Sequence, residues 1–252
     1  MKPSTLKIAN SLAFIFTIIM NTLANALPLG GMNTGELSAL YPNLFVPAGF
    51  TFSIWGVIYA LLLVFVVRQW VGDSDKVLKK IGPWLVVNCI ANGTWIAVWH
   101  AQWVWVSMIV MLLLLASLVK IYTLLDIRYG PVSWSYKVPF SVYMGWISVA
   151  TIANGTTLLV DQGMTELALG ADLWASIMLS IAAVLGLYML WTRRDVFFAA
   201  VIVWASYGIY ARRIADTAAA DGAITRTAVV AMVVVGILLL VQVVGIVRKS
   251  AI

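Results

Sequence analysis

Eight apolar segments, each about as long as a membrane is thick, constrain this chain more than any other feature. A hydrocarbon core of roughly 30 Å needs about 20 apolar residues in one helix, and such runs recur along all 252 residues. Only 10% of the residues are charged, whereas soluble domains carry roughly 25%. We therefore predict an all-α integral membrane protein. The predicted spans are residues 8–27, 50–71, 82–99, 103–124, 136–158, 172–192, 195–211 and 225–247.

The basic residues indicate how these spans are oriented. With a cytoplasmic N-terminus, all but three of the sixteen lysines and arginines fall on the cytoplasmic side, as the positive-inside rule requires. The exceptions are Arg212, Arg213 and Arg226. Both termini are therefore expected to be cytoplasmic. For a bacterial source we expect the inner membrane, because outer-membrane proteins are mostly β-barrels.

The first apolar run has two interpretations, because Lys2 and Lys7 precede it as they would precede a signal peptide. Its length and the lack of a small-residue cleavage site favour a retained first span over a cleaved signal.

Residues that catalysis or metal binding would need are scarce in this sequence. No Lys, Asp or Glu lies near the middle of a predicted span, and buried carboxylates usually mark proton-coupled transport. The single cysteine, Cys89, excludes an internal disulfide, and the single histidine, His100, excludes bis-histidine haem ligation within one chain. We therefore expect no catalytic residues, no metal site and no enzymatic activity. The net charge of +6 lies in the loops and does not indicate a nucleic-acid partner.

Three predicted spans each carry an aromatic or amide face. Residues three, four or seven apart share one face of a helix, and an amide in hydrocarbon needs a partner. The asparagines must therefore face the bundle interior. Two interpretations stay open: a pocket with flat apolar walls, or interhelical hydrogen bonds beside an interfacial aromatic belt. The faces consist of Phe52, Trp55 and Tyr59; of Asn88, Asn92, Trp95 and Trp99; and of Tyr143, Trp146, Ala150 and Asn154.

A long polar loop, residues 28–49, leads directly into the second of these spans. It is rich in Gly, Pro and Asn, and it is longer than a simple connection requires. We interpret it as a lid over the outer mouth of a ligand pocket. Pro47, Gly49 and Phe50 are the predicted lid residues next to the span.

Three motifs, in order along the chain, resemble those of one membrane-protein family. Pro47-Ala-Gly-Phe-Thr-Phe-Ser-Ile-Trp55-Gly-Val-Ile-Tyr59 is similar to the start of the second helix in the TspO/translocator protein family, the tryptophan-rich sensory proteins. Asn88-Cys-Ile-Ala-Asn92-Gly-Thr-Trp95 resembles that family's third helix. The segment from Pro139 through Tyr143, Trp146 and Ala150 to Asn154 resembles its fifth helix. One departure is that the family's Pro-Pro-Gly-Trp is replaced by Pro47-Ala-Gly-Phe50.

The resemblance implies a TspO-like five-helix bundle over residues 1–160. The apolar runs of residues 171–252 predict three additional transmembrane helices, about which the family's motifs say nothing. The resemblance also implies a pocket, closed by the first loop, that binds a porphyrin, another tetrapyrrole or a sterol-like lipid. No cofactor is expected other than such a porphyrin or haem-like ligand. Members of the family are described as sensors or regulators of tetrapyrrole and stress metabolism. Carried over by motif, the pocket residues are Trp55, Asn92, Trp95, Trp146 and Ala150.

Two rival functions stay open. The first is a transporter of a small hydrophobic solute, in which Gly93 and Gly155 mark unwound helix segments. The second is a structural membrane partner whose last three helices form a docking surface. The expected partners are membrane lipid, a small hydrophobic ligand and, if those helices form a dimer surface, a second copy of the chain.

Overall fold

The computed structural model describes residues 2–26, 31–125, 134–164, 170–216 and 222–250, and within these ranges it contains helices and no strand. A short 3-10 helix, Gly49–Ser53, immediately precedes α3. The α-helices are α1 Pro3–Asn25, α2 Thr34–Ala39, α3 Ile54–Val71, α4 Asp75–Ile81, α5 Trp84–His100, α6 Val104–Leu125, α7 Trp134–Asp161, α8 Ala171–Arg193, α9 Val196–Ile214 and α10 Ala223–Ser250.

Each of the eight predicted spans coincides with one long helix, which confirms the all-α membrane class. Among the described residues, five helical segments are long and apolar enough to cross a membrane alone: α1, the 3-10 helix with α3, α6, α8 and α10. The bent pair α4 and α5 is also long and apolar enough when taken as one span, with a bend of 61°. Helices α7 and α9 are less apolar, because α7 contains many polar and aromatic residues and α9 ends in Arg212 and Arg213.

The bend between α4 and α5 lies at Gly82 and Pro83. Gly82 has a φ of +54° and a ψ of −134°, a backbone conformation that is strained for any residue with a side chain. Pro83 follows as the N-cap residue of α5 and has no amide hydrogen to satisfy. The sequence gives no sign of α4, because its seven residues, four of them charged, resemble a loop. Tertiary contacts with α1 and α6 stabilise it.

The first five long helices and the last three pack against each other through α7 and α9. In the first group α5 lies against α1 and α6, and α7 contacts α3, α6 and α9; in the second, α10 packs on α8 and α9. One apolar core contains side chains from both groups, including Ile58, Phe140 and Phe198. The predicted boundary at residues 161–170 falls in the connection between α7 and α8, of which residues 165–169 lie outside the described ranges.

Close packing of α7 on α9 depends on Gly145. A Cβ at this position would lie 3.1 Å from the Val201 Cβ and 3.2 Å from the Phe198 carbonyl oxygen. Small residues of this kind let membrane helices approach closely and gain dispersion contacts. A side chain at position 145 would push α7 and α9 apart.

Gly145→Val is therefore expected to destabilise the protein by about 1–3 kcal/mol, because overpacking a filled interface displaces the backbone. The matched control is Gly56→Val, since a Cβ at Gly56 on α3 would meet no atom within 4 Å. Thermal unfolding in detergent would measure both variants. Equal midpoints for the two would contradict the role assigned to Gly145.

Candidate ligand-binding site

The loop before α3 folds back over the ends of α5 and α7. Its helix α2 begins with a capping box: the Asn33 side chain accepts from the Glu36 amide at 2.9 Å, and the Glu36 carboxylate accepts from the Asn33 amide at 2.8 Å. Leu37 and Phe45 are buried, so the loop packs inward as a small folded unit. Residues 28–30 of the predicted lid lie outside the described ranges.

Two helices hold this loop in place. On α5, the Tyr41 ring lies 6.0 Å from that of Trp99. On α9, the Gly208 carbonyl accepts from the Ala48 amide at 2.9 Å, and Trp204 Nε1 donates to the Thr51 carbonyl at 3.0 Å. One of the additional helices thus anchors the loop of the five-helix bundle.

The phenol of Tyr41, in the loop, has a raised pKa that a titration can measure. Partial burial and, to a smaller extent, the negative Asp161 carboxylate raise the pKa of the Tyr41 phenol. The folded state therefore holds the phenol proton more tightly than the unfolded state does. The preference of the folded state for the neutral phenol contributes stability. This contribution is fully present below the unfolded pKa of about 10 and is lost as the pH rises through the folded pKa.

We expect the Tyr41 phenol to ionise with a midpoint above pH 10. The difference between tyrosinate absorbance titrations of the wild type and Tyr41→Phe isolates this one group from the other eight tyrosines. A difference curve with its midpoint at or below the unperturbed value of about 10 would show that the loop does not bury Tyr41.

Beneath the loop lies a cavity of about 60 Å³. Trp95 and Trp99 stack with ring centroids 5.5 Å apart and an angle of 15° between their planes. Trp146 also lines the cavity and is buried in the core. The other lining residues come from the loop, α7 and α9: Thr34, Ser38, Phe45, Val46, Pro47, Phe52, Val149, Ala150, Ala153, Asn154, Thr157, Ala205 and Ile209.

The polar groups of this cavity are few. Asn154 accepts from Trp95 Nε1 at 2.9 Å and donates to Ser107 Oγ at 3.0 Å, which fixes its amide. The indole nitrogens of Trp99 and Trp146 are buried without a hydrogen-bond partner among the described residues. Because an unpaired buried donor is costly, these two N–H groups are candidate anchors for a ligand acceptor.

A groove of about 390 Å³ lies beside the cavity and contains Trp55 and Tyr59. These two rings stack with centroids 5.5 Å apart, and α1 supplies the facing wall with Asn21 and Thr22. Phe52 and Thr34 line both the groove and the cavity. The Phe52 ring, edge-on to Trp146 at 5.9 Å, is therefore part of the wall that the two spaces share.

Asn92 and Tyr143 lie in neither lining set. Asn21 Nδ2 donates to Asn92 Oδ1 at 2.7 Å, and Asn92 Nδ2 donates to Tyr143 Oη at 2.7 Å. This chain of hydrogen bonds ties α1, α5 and α7 together. Tyr143 also meets Trp55 edge-on at 5.9 Å, so the network supports the wall of the groove.

Three other predicted residues also lie outside the cavity and the groove. Asn88 joins α5 to α6 by donating to Ser117 Oγ at 2.9 Å and to the Leu114 carbonyl at 3.3 Å. Phe50 packs outside the cavity on Trp204 of α9, with centroids 5.6 Å apart. Gly49 lines a separate depression. Of the predicted lid residues, Pro47 alone lines the cavity.

Several lining residues lie outside the sequence-predicted set. Asn21 follows the buried residues Asn10 and Thr17 at helical spacing, so the pattern that singled out α5 also exists on α1. By contrast, Ala205 and Ile209 of α9 are ordinary apolar residues. No signal in the sequence distinguishes them from residues that face lipid.

The comparison with protein families agrees with these observations. A family model described as "TSPO-like protein" matches residues 7–242. The chain therefore belongs to the TSPO-like protein family. The matched segment includes the last three helices up to residue 242 and so extends beyond the three motifs. No curated protein and no solved structure matches the chain.

Proposed function

We propose that this protein binds a flat hydrophobic molecule, a porphyrin or a sterol-like lipid, beneath the loop and acts as a membrane sensor or regulator. The observation that carries the proposal is the cavity lined by Trp95, Trp99 and Trp146, two of which have indole N–H groups without a partner among the described residues. Apolar walls with a few fixed polar groups are typical of small-molecule sites. Membership of the TSPO-like family points to the same membrane ligand-binding or sensor role.

The sizes of the two spaces define how a ligand would enter. Small-molecule sites hold roughly 300–1,000 Å³, so the cavity of about 60 Å³ is too small for a porphyrin, whereas the groove of about 390 Å³ is within range. Rotation of the Phe52 ring would join them. In this mechanism the ligand stacks on Trp55 in the groove and reaches Trp146 in the cavity after Phe52 moves.

A titration with protoporphyrin IX, followed by the absorbance of the porphyrin, tests the proposal. Trp55→Phe/Asn92→Ala reduces the stacking surface and breaks the hydrogen-bond network behind it, and is expected to weaken binding about tenfold or more. The matched control, Trp191→Phe/Thr94→Ala, changes two exposed residues. Because Asn92→Ala leaves Tyr143 without a partner, Trp55→Phe alone is measured as well. Unchanged affinity in both Trp55 variants would refute the proposal.

The transport rival receives no support from the two glycines predicted to mark unwound segments. Both Gly93 and Gly155 lie inside continuous helical segments of α5 and α7, so neither marks an unwound site of the kind that coordinates solutes in transporters. Gradient-dependent flux of a hydrophobic solute into proteoliposomes would nevertheless favour transport over binding alone.

A further inference from the structure

A second cavity, of about 500 Å³, lies at the other end of the bundle from the loop. It forms where α7 and α9 begin and where α8 and α10 end, so it lies between helices of both groups. Three of its lining side chains are cationic: Lys137 in the first turn of α7, Arg193 at the end of α8 and Arg194 directly after it. Neither arginine forms an ion pair with a described residue.

One carboxylate, Asp195, also lines this cavity, but its oxygens are already engaged inside the protein. Oδ2 accepts from Tyr122 Oη at 2.8 Å and from Ser141 Oγ at 2.6 Å. Oδ1 accepts from the amides of Phe197 and Phe198 at 3.1 and 3.0 Å. Four hydrogen bonds account for the usual acceptor capacity of a carboxylate. These bonds leave Asp195 no free acceptor for an arginine, and the described lining residues contain three cationic side chains and this one carboxylate.

The surroundings of the cavity place it at the depth of lipid headgroups. Trp134 at its edge is 60% exposed and Trp191, at the same end of α8, is 80% exposed. Exposed tryptophans at helix ends are typical of the membrane–water interface. Trp134 packs edge-on against Phe197 with centroids 5.4 Å apart, which gives the cavity an apolar wall beside its cations.

We propose that this basic cavity binds the phosphate of an anionic membrane phospholipid. The recognised chemistry is a phosphate group, which arginine and lysine bind through charge-assisted hydrogen bonds. Basic pockets between transmembrane helices are suited to lipid headgroups of this kind. The aromatic wall favours a lipid over free phosphate, because it offers a surface to the glycerol and upper acyl chain. The site is separate from the cavity beneath the loop.

Native mass spectrometry of the full-length protein, titrated with phosphatidylglycerol or phosphatidylcholine, tests this proposal. We expect the wild type to retain one phosphatidylglycerol with an affinity about tenfold or more above that for phosphatidylcholine. Arg193→Gln/Arg194→Gln should abolish that preference. The control Lys79→Gln/Lys80→Gln removes the same charge from exposed residues of α4, and its affinity should stay within about twofold of the wild type.

Three results would overturn the proposal. Equal retention of the two lipids by the wild type would do so without any variant, so the test does not depend on how the double variant folds. An unchanged preference in an Arg193→Gln/Arg194→Gln protein of native helix content would also do so. Displacement of the lipid by millimolar inorganic phosphate would assign the cavity to a soluble anion instead.

Discussion

Asp195→Leu is expected to cause a large loss of stability, about 3 kcal/mol or more, because it leaves three buried donors and one half-buried donor without an acceptor. Those donors belong to three different helices: Tyr122 on α6, Ser141 on α7 and two amides of α9. In a chain of this size, that change corresponds to a fall of roughly 6–12 °C in the unfolding midpoint. Thermal unfolding in detergent measures it.

Two further substitutions at acidic positions separate hydrogen bonding from charge. Asp195→Asn keeps an oxygen for the α9 amides, and its NH₂ group can donate to the two hydroxyl oxygens, so a smaller loss is expected. Asp73→Leu removes an exposed carboxylate and should change the midpoint little. If Asn at position 195 proved as damaging as Leu, the negative charge and not the hydrogen-bond geometry would be the stabilising feature.

Gly208→Val is expected to release the loop from α9. A Cβ at position 208 would collide with the side chain of Thr51, which is fully buried in the 3-10 helix. Overpacking of about 1–3 kcal/mol corresponds to a roughly 5- to 150-fold increase in local opening. Amide hydrogen exchange in residues 31–53 should therefore accelerate by that factor, and ligand affinity should fall with it.

The matched control for this substitution is Gly236→Val on α10, where a Cβ would meet no atom within 4 Å. It should leave exchange in residues 31–53 unchanged. If Gly208→Val also left that exchange unchanged, α9 would not anchor the loop, and the proposed contribution of the additional helices to the site would be wrong.

The long helices were predictable because lipid-spanning segments must be long and apolar, and that requirement is visible in the sequence. The short helices α2 and α4 were not, since α2 begins with the Asn33–Glu36 capping box and α4 depends on contacts with α1 and α6. Asp195 illustrates the same limit. Next to Arg193 and Arg194 it resembles an ordinary interfacial charge, and only the arrival of Tyr122 and Ser141 from distant helices makes it a buried hydrogen-bond centre.

The aromatic and amide faces were predictable from helical spacing, but their neighbours were not. Spacing places Asn88 and Asn92 on one face of α5, yet Asn88 meets α6 whereas Asn92 meets α1 and α7. The two interpretations of the faces were therefore not exclusive, because interhelical hydrogen bonds support a cavity between aromatic rings. The contribution of α9 could not be predicted, since the three motifs that resemble the family end at Asn154.

The central claim is that a hydrophobic ligand extends from the groove at Trp55 into the cavity beneath the loop, and filling that cavity tests it most directly. Ala150 lines the cavity, so Ala150→Phe places a ring in it while all twelve tryptophans remain as reporters. The control Ala97→Phe adds the same ring on an exposed face of α5.

The measurement is tryptophan quenching by protoporphyrin IX. We predict saturable binding that Ala150→Phe weakens about tenfold or more and Ala97→Phe leaves intact. Equal quenching in all three proteins would mean nonspecific partitioning and would contradict the account.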